Sequence, residues 1–171
     1  TPKEQALIKA LAARDSEDLN KDVAELNMAY MKEMEKVAKT YPNDANIQIL
    51  FAASVMNTVP WNYWDKEGNP SPNITEAKTA LEKAMKLEPE NPGGHHYYIH
   101  MVELPYPDLG VESADKLASL MPGAGHIVHM PSHIYIRVGR YKDAVKVNQA
   151  AILADEDYIS QCFSQGLYPL G

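Results

Sequence analysis

The chain has few of the residues that would cross-link it, anchor it in a membrane or bring it to nucleic acid. Its single cysteine, Cys162, excludes an internal disulfide. No apolar run approaches the roughly 20 residues that span a bilayer, since the longest, Ile47 to Val59, is short and contains Asn57. Lys and Arg number 16 against 23 Asp and Glu, with a formal net charge of −7 and no basic stripe. This balance argues against nucleic-acid binding.

Motifs of several common enzyme classes are also missing. The sequence has no Walker loop, no GxGxxG and no GxSxG, and Cys162 has no identified base. Strand signals are nearly absent, because no alternating run has flanking turns that would make a hairpin. The hydrophobic fraction of 45% is nevertheless normal for a globular protein. A folded, all-α protein is therefore expected.

Helix signals dominate the chain. Thr1 to Glu4 forms a capping box with proline at the first helical position. A longer helix is predicted over about 20–40, and Pro42-Asn43-Asp44 should end it and cap the next one. Its apolar face comprises Val23, Leu26, Tyr30, Met34 and Val37.

Two segments share a spacing of small residues. Ala77 and Ala84 lie in EAKTALEKAMKLEPENP, and Ala144 and Ala151 follow Gly139-Arg140-Tyr141 with the same separation. Both segments resemble the tetratricopeptide consensus, in which small residues let paired helices pack closely and a proline closes the pair. Pro89 and Pro122 are 33 residues apart, close to the period of about 34 in such repeats.

The spacing predicts one domain over 1–171, an α-solenoid of antiparallel helix pairs. The pairs are expected at about 3–41, 44–88, 92–121 and 125–154, with a further helix starting near Asp157 and extending toward 171. An insertion at 60–73, PWNYWDKEGNPSPN, should form a loop. Its two tryptophans could pack on the core or contact a ligand, and the sequence leaves both open.

All six histidines lie between positions 95 and 133. His96, His100 and Glu103 share one helix face at spacings of four and three, and His126, His129 and His133 have spacings of three and four. Two histidines one turn apart can converge on one cation. The candidate metal ligands are therefore His96, His100, Glu103, His126, His129 and His133, while His95 should face elsewhere.

The repeat register relates the two histidine pairs. Counted from Pro92 and Gly125, His96 matches His129 and His100 matches His133. These positions line the concave groove in tetratricopeptide domains, so the pairs should lie on adjacent helices and share one metal or frame two. Pro131 complicates this, because proline is disfavoured inside a helix. A helix starting at Pro131 would leave His126 and His129 on the preceding turn.

The donors favour a divalent transition metal. Zinc is the first choice on general grounds, and copper, nickel and iron also suit imidazole-rich ligation. Met101, Met130 and Cys162 leave copper(I) open, and Glu103 could be a ligand or orient one. The alternative is that the histidines only make hydrogen bonds, or stack with Tyr97, Tyr98 and Tyr135 to contact a peptide.

The segments HHYYIHMVE (95–103) and PGAGHIVHMPSHIYIRVGRY (122–141) resemble a bacterial family of tetratricopeptide-repeat proteins of uncharacterised function. Further matches are TPKEQALIKAL (1–11), PWNYW (60–64), DYISQC (157–162) and GLYPL (166–170). The resemblance implies the fold and a histidine-lined groove; it implies no reaction. It also leads us to expect an internal piece of a longer protein. A terminal repeat exposed in such a piece should favour self-association. A soluble protein of the bacterial cytoplasm or periplasm is expected, and the sequence does not identify the compartment.

Three functions follow from these observations. The first is a metal-binding module with a histidine-lined groove. The second is a metal-free scaffold that binds a peptide or protein partner, although the groove is expected to lack the Lys, Arg and Asn that usually hold a carboxylate. The third is a metal-dependent enzyme with Glu103 as general base and Tyr97, Tyr98 or Tyr135 assisting an oxyanion. Nothing in the sequence demands catalysis.

Overall fold

The computed structural model describes residues 1–18 and 20–161. These fall into two compact units, Thr1–Pro89 and Glu90 onward. Apart from an isolated bridge between Trp64 and Pro70, the described residues contain no β-structure. None of the helices within them is long and apolar enough to cross a membrane.

The first unit contains four helices, which pack in sequence order. Thr1 caps the first through the predicted capping box, and Asp44 caps the third by accepting from the amide of Ile47. The helices are α1 (Pro2–Ala12), α2 (Val23–Thr40), α3 (Ala45–Met56) and α4 (Ile74–Leu87). Ten of the twelve residues of α3 are buried, because this mostly apolar helix packs against both α2 and α4.

The first unit differs from expectation at the start of α2. Val23 is 65% exposed there, so the apolar face of this helix begins later than predicted. The insertion between α3 and α4 is a loop, as expected. Of the two alternatives left open for its tryptophans, packing on the core does not apply to Trp61, which is 63% exposed. Its backbone is left-handed, with φ of 63°.

As far as the structure describes it, to Gln161, the second unit contains five α-helices, and it carries every histidine of the chain. They are α5 (Pro92–Val102), α6 (Val111–Leu120), α7 (Gly125–His129), α8 (Pro131–Arg137) and α9 (Tyr141–Gln161). A short 3-10 helix, Pro107–Gly110, precedes α6. Helix α5 packs on α6 and α8, and both α7 and α8 pack on α9. The first helices of the two predicted pairs thus lie side by side.

The small residues of the repeat pattern lie at these helix contacts. Ala77 and Ala84 are fully buried on α4, and Ala144 and Ala151 are buried on α9. Gly139 provides the turn between α8 and α9 with a φ of +79°, which glycine adopts without steric cost. The prediction that a further helix starts near Asp157 is wrong, because α9 continues through that residue to Gln161. Cys162 and the rest of that predicted helix lie outside the described residues.

Candidate metal centre

Helix α5 and the residue that ends it, Glu103, present three candidate ligands on one face. The Asn91 side chain caps the helix by accepting from the Gly93 amide, and Pro92 occupies its first turn. The rings of His96 and His100 are 5.0 Å apart, and His100 Nδ1 lies 3.2 Å from a Glu103 oxygen. The helical spacing read from the sequence therefore brings these side chains together. His95 faces elsewhere, as expected, buried with Nδ1 3.0 Å from the Ser113 hydroxyl.

The other three histidines lie on either side of a helix junction. Helix α8 begins at Pro131, as the second interpretation of this segment predicted, because proline has no N–H to donate to the preceding turn. Met130 nevertheless keeps helical angles, φ −50° and ψ −38°. The backbone thus keeps helical geometry across the junction, and His129 Nε2 lies 3.0 Å from His133 Nε2.

Three imidazoles converge between α5 and α7. His96 Nε2 and His126 Nε2 are 3.2 Å apart. Together with His100 they each offer one ring nitrogen, and the three nitrogens lie within 4.8 Å of one another. This cluster, called here the three-histidine group, joins residues that are up to 30 positions apart in sequence.

Glu103 is the buried carboxylate beside these histidines, with only 6% of its surface exposed. One of its oxygens contacts His100 Nδ1 at 3.2 Å and the other contacts His133 Nδ1 at 2.8 Å. The Arg137 guanidinium lies 3.8 Å from the second oxygen. His100, Glu103 and His133 thus form a second set of three potential ligands that shares His100 with the first.

His129, the last of the candidate histidines, is held by Asn148 and Ser132 and has no contact with Glu103 among those described. Its Nδ1 lies 2.6 Å from Asn148 Oδ1 and 3.4 Å from the Ser132 hydroxyl. The Asn148 amide nitrogen donates to the Ala144 carbonyl one turn earlier on α9. Asn148 was not among the predicted site residues, although it follows Ala144 by four positions and so shares the face of α9 that packs inward.

Burial changes the protonation of the centre. It lowers the pKa of His96 to about 3, with further lowering by the neighbouring His100, His126 and His133. Burial and the same kind of neighbours also lower the pKa of His126. For Glu103 burial raises the pKa, but hydrogen bonds from His100 and His133 outweigh it and lower the pKa to about 2. At neutral pH the centre therefore has a carboxylate and a neutral His96.

The tyrosines and methionines that the sequence analysis considered for the site lie in different environments from one another. Tyr97 stacks on His96 with ring centroids 5.0 Å apart. The Tyr135 hydroxyl donates to Asp115 at 2.8 Å, and this use of its proton opposes the predicted role in assisting an oxyanion. Burial, together with the contact to Asp115, raises the pKa of Tyr135. Met101 and Met130 are fully buried core residues.

Openings on the side of α9 reach the centre among the described residues. One, of about 220 Å³, is lined by His129, His133, Arg137 and Asn148 among others. The other, of about 210 Å³, also reaches His129 and Asn148 and is bounded by His126 and Asp155. Arg137 and Asn148 are the residue types that the sequence led us not to expect in the groove.

Comparison with known proteins identifies the fold alone. No family model matches the chain, and no curated protein matches its sequence. A crystal structure of MamA, a protein of tetratricopeptide fold, superposes with a TM-score of 0.64 over 90% of this chain and 81% of that chain, at 15% identity. A MamA structure designated MSR-1 C2 gives 0.58 over 91% and 95%, at 16% identity. A structure of a MamA variant gives 0.56 over 90% and 95%, at 17% identity.

The fold is a tetratricopeptide-like α-solenoid. This confirms the predicted fold class, and such helical repeats commonly serve as protein-interaction scaffolds. The three MamA structures share less than a fifth of their residues with this chain. They therefore carry no information about the histidines.

Proposed function

We propose that the second unit is a metal-binding module, and that the three-histidine group binds a divalent transition metal ion, with zinc the first choice. The observation that carries this proposal is the convergence of three ring nitrogens, from His96, His100 and His126, within 4.8 Å of one another. Three imidazoles are a common zinc donor set, and they leave a fourth position for water or another ligand.

The spacing of the nitrogens suits such an ion. Zinc binds imidazole nitrogen at about 2.0–2.1 Å, so two ligands on a tetrahedral ion lie about 3.4 Å apart. The Nε2 atoms of His96 and His126 are 3.2 Å apart. Little movement of either ring is therefore needed to place an ion between them.

In this proposal Glu103 orients ligands and does not bind the ion itself. Its 2.8 Å contact with His133 Nδ1 has the length of an N–H to carboxylate hydrogen bond. That length is shorter than the about 3.4 Å expected between neighbouring ligands on a tetrahedral zinc ion. A carboxylate that accepts from Nδ1 of a neutral histidine leaves Nε2 as the electron-pair donor, a common arrangement behind metal-binding histidines. Because both oxygens contact histidines, this role is also favoured over that of a general base.

The test is elemental analysis of the purified chain after incubation with zinc, copper, nickel or iron and removal of excess ion. The parent should retain at least one near-stoichiometric ion, and the double variant His100→Ala/His133→Ala should retain none at unchanged helicity. His95→Gln is the control, since it removes a histidine that lies outside the centre. The proposal fails if the folded parent retains no ion, or if the double variant retains as much as the parent.

The second candidate is a metal-free scaffold that binds a peptide or protein partner. The observation that favours it is the opening of about 220 Å³ lined by Arg137 and Asn148, whose side chains can hold a carboxylate. A panel of peptides with free and amidated C-termini, tested in the presence of a chelator, would measure this activity. Binding that requires the free carboxylate and is lost in Arg137→Ala/Asn148→Ala would favour the scaffold.

A further inference from the structure

A chain of four side chains runs along one side of the centre, from Asn148 on α9 through His129 and His133 to Glu103. The contacts are 2.6 Å from Asn148 Oδ1 to His129 Nδ1, 3.0 Å between the two Nε2 atoms, and 2.8 Å from His133 Nδ1 to Glu103. The three-histidine group includes neither His129 nor His133. Their arrangement therefore needs an explanation of its own.

The two outer side chains of this series, Asn148 and Glu103, determine which nitrogen of each histidine ring carries the proton. Ionised Glu103 can only accept hydrogen bonds, so His133 Nδ1 must donate to it. The Asn148 amide nitrogen already donates to the Ala144 carbonyl at 2.8 Å, so its oxygen faces His129. His129 Nδ1 must then donate as well. With Nδ1 used in these contacts, Nε2 is the nitrogen of each ring that is left to bind a cation.

The two Nε2 atoms lie 3.0 Å apart. Two electron-pair donors at this distance require a proton or a metal ion between them. Neighbouring nitrogen ligands on one ion lie about 3.0–3.4 Å apart when each nitrogen is about 2.1 Å from the ion. The observed separation therefore suits two neighbouring ligands on one ion.

We infer that His129 and His133 form a second cation subsite through their Nε2 atoms, next to the three-histidine group. This inference rests on the proposed function, since Glu103 orients one histidine of each subsite. Both openings on the α9 side reach His129, so water or an anionic ligand can complete the coordination. Arg137 beside the larger opening favours an anion such as a carboxylate.

The stoichiometry of metal binding tests the second subsite. The full chain is titrated with zinc and, separately, with cobalt(II), and the bound ion is counted by elemental analysis and calorimetry. The parent should bind two equivalents, His129→Gln one and His126→Gln one. Both histidines are partly exposed, so these substitutions should leave the helices intact. Asn148→Ala keeps every ligand but removes the orienting contact, and should weaken the second equivalent by about 10- to 100-fold.

The outcomes separate this inference from the proposed function. One equivalent in the parent that His129→Gln leaves unchanged would overturn the second subsite and leave the first in place. Two equivalents that persist in His129→Gln would overturn it as well. No ion in the parent would overturn both proposals.

Nitrogen NMR of the zinc-saturated chain supplies an independent readout. In that state His129 and His133 should both show protonated Nδ1 and an Nε2 that carries no proton. A protonated Nε2 on either ring at saturating zinc would mean that the contact is an ordinary N–H···N hydrogen bond, and would contradict the inference.

Discussion

Glu103 is the residue on which the geometry of the centre depends most. It accepts hydrogen bonds from histidines on two helices, His100 on α5 and His133 on α8. We expect Glu103→Gln to weaken metal binding by about 10- to 100-fold, because the amide can accept from one ring but offers N–H groups to the other. Competition with a chelator of known affinity measures the loss.

The matched control is Glu112→Gln in the same unit. Glu112 is 81% exposed and pairs with Lys116 on the surface of α6. Its substitution should leave metal affinity unchanged within error. Equal losses in the two variants would mean that total charge, and not the orientation of the rings, governs binding.

Residue spacing predicted which histidines gather, but not how each is held. Helical spacing alone places His96, His100 and Glu103 on one face, and the repeat register places the second set opposite. The contact between His129 and Asn148 depends on how closely α7 packs against α9, which the sequence pattern does not determine. The protonated nitrogen of each ring depends in turn on such contacts.

At the scale of elements, the start of α3 depends on Asp44. Its side chain accepts from the Ile47 amide at 3.1 Å and also pairs with Lys3. Asp44→Ala should lower the free energy of unfolding by about 1 kcal/mol, as the loss of a helix cap does. Asp44→Asn keeps an acceptor at the cap and should lose less. Urea unfolding followed by circular dichroism measures both, and equal losses would contradict the capping role.

The Asp44 contribution should also depend on pH. The Lys3 hydrogen bond lowers the pKa of Asp44 below its ordinary value, although partial burial opposes the shift. Its contribution is therefore complete above the unfolded pKa of about 3.9 and is lost as the pH falls through the folded pKa. The stability difference between the parent and Asp44→Asn should be present at neutral pH and shrink in acid. A difference that grows in acid would refute this assignment.

The packing of α7 on α9 depends on a glycine. A Cβ placed on Gly125 would lie 2.0 Å from an Asp155 oxygen, whereas one on Gly123 would have no atom within 4 Å. Gly125→Ala must therefore displace the Asp155 carboxyl group, and because this group is the end of a flexible side chain we expect only a small loss of stability. The double variant Gly125→Ala/Asp155→Ala should recover about 0.5 kcal/mol or more relative to the sum of the single changes. Additive effects, or an equal loss in Gly123→Ala, would show that the close approach is unimportant.

The boundaries of elements were predictable where a residue determines them. Pro42 to Asp44, Pro92 and Gly139 each mark a helix start or end in the structure. The prediction of a new helix starting near Asp157 was wrong because α9 has no proline or glycine there. Helical geometry therefore continues to Gln161. The prediction that Val23 lies on the buried face of α2 was wrong for another reason, since an apolar residue in the first turn of a helix can remain exposed.

At the scale of the whole molecule, every candidate ligand lies in the second unit. An ion that binds only the folded state at 100 times its Kd stabilises that state by about 2.7 kcal/mol. Saturating zinc should therefore slow amide hydrogen exchange in 90–161 and leave 1–89 little changed. Exchange followed by mass spectrometry measures this, and uniform protection of both units, or none, would contradict the assignment.

The separation of His96 and His126 by 30 positions in the sequence has a consequence for a chain without an internal disulfide. An ion held by both side chains would act as a removable cross-link, fastening α5 to α7 as a covalent bridge would. Closing a loop of that length with a disulfide restricts the unfolded chain by about 3–4 kcal/mol at room temperature. Unlike a disulfide, this link needs no oxidising compartment, and a chelator or acid would open it. The second unit would then be a domain whose rigidity follows the supply of metal.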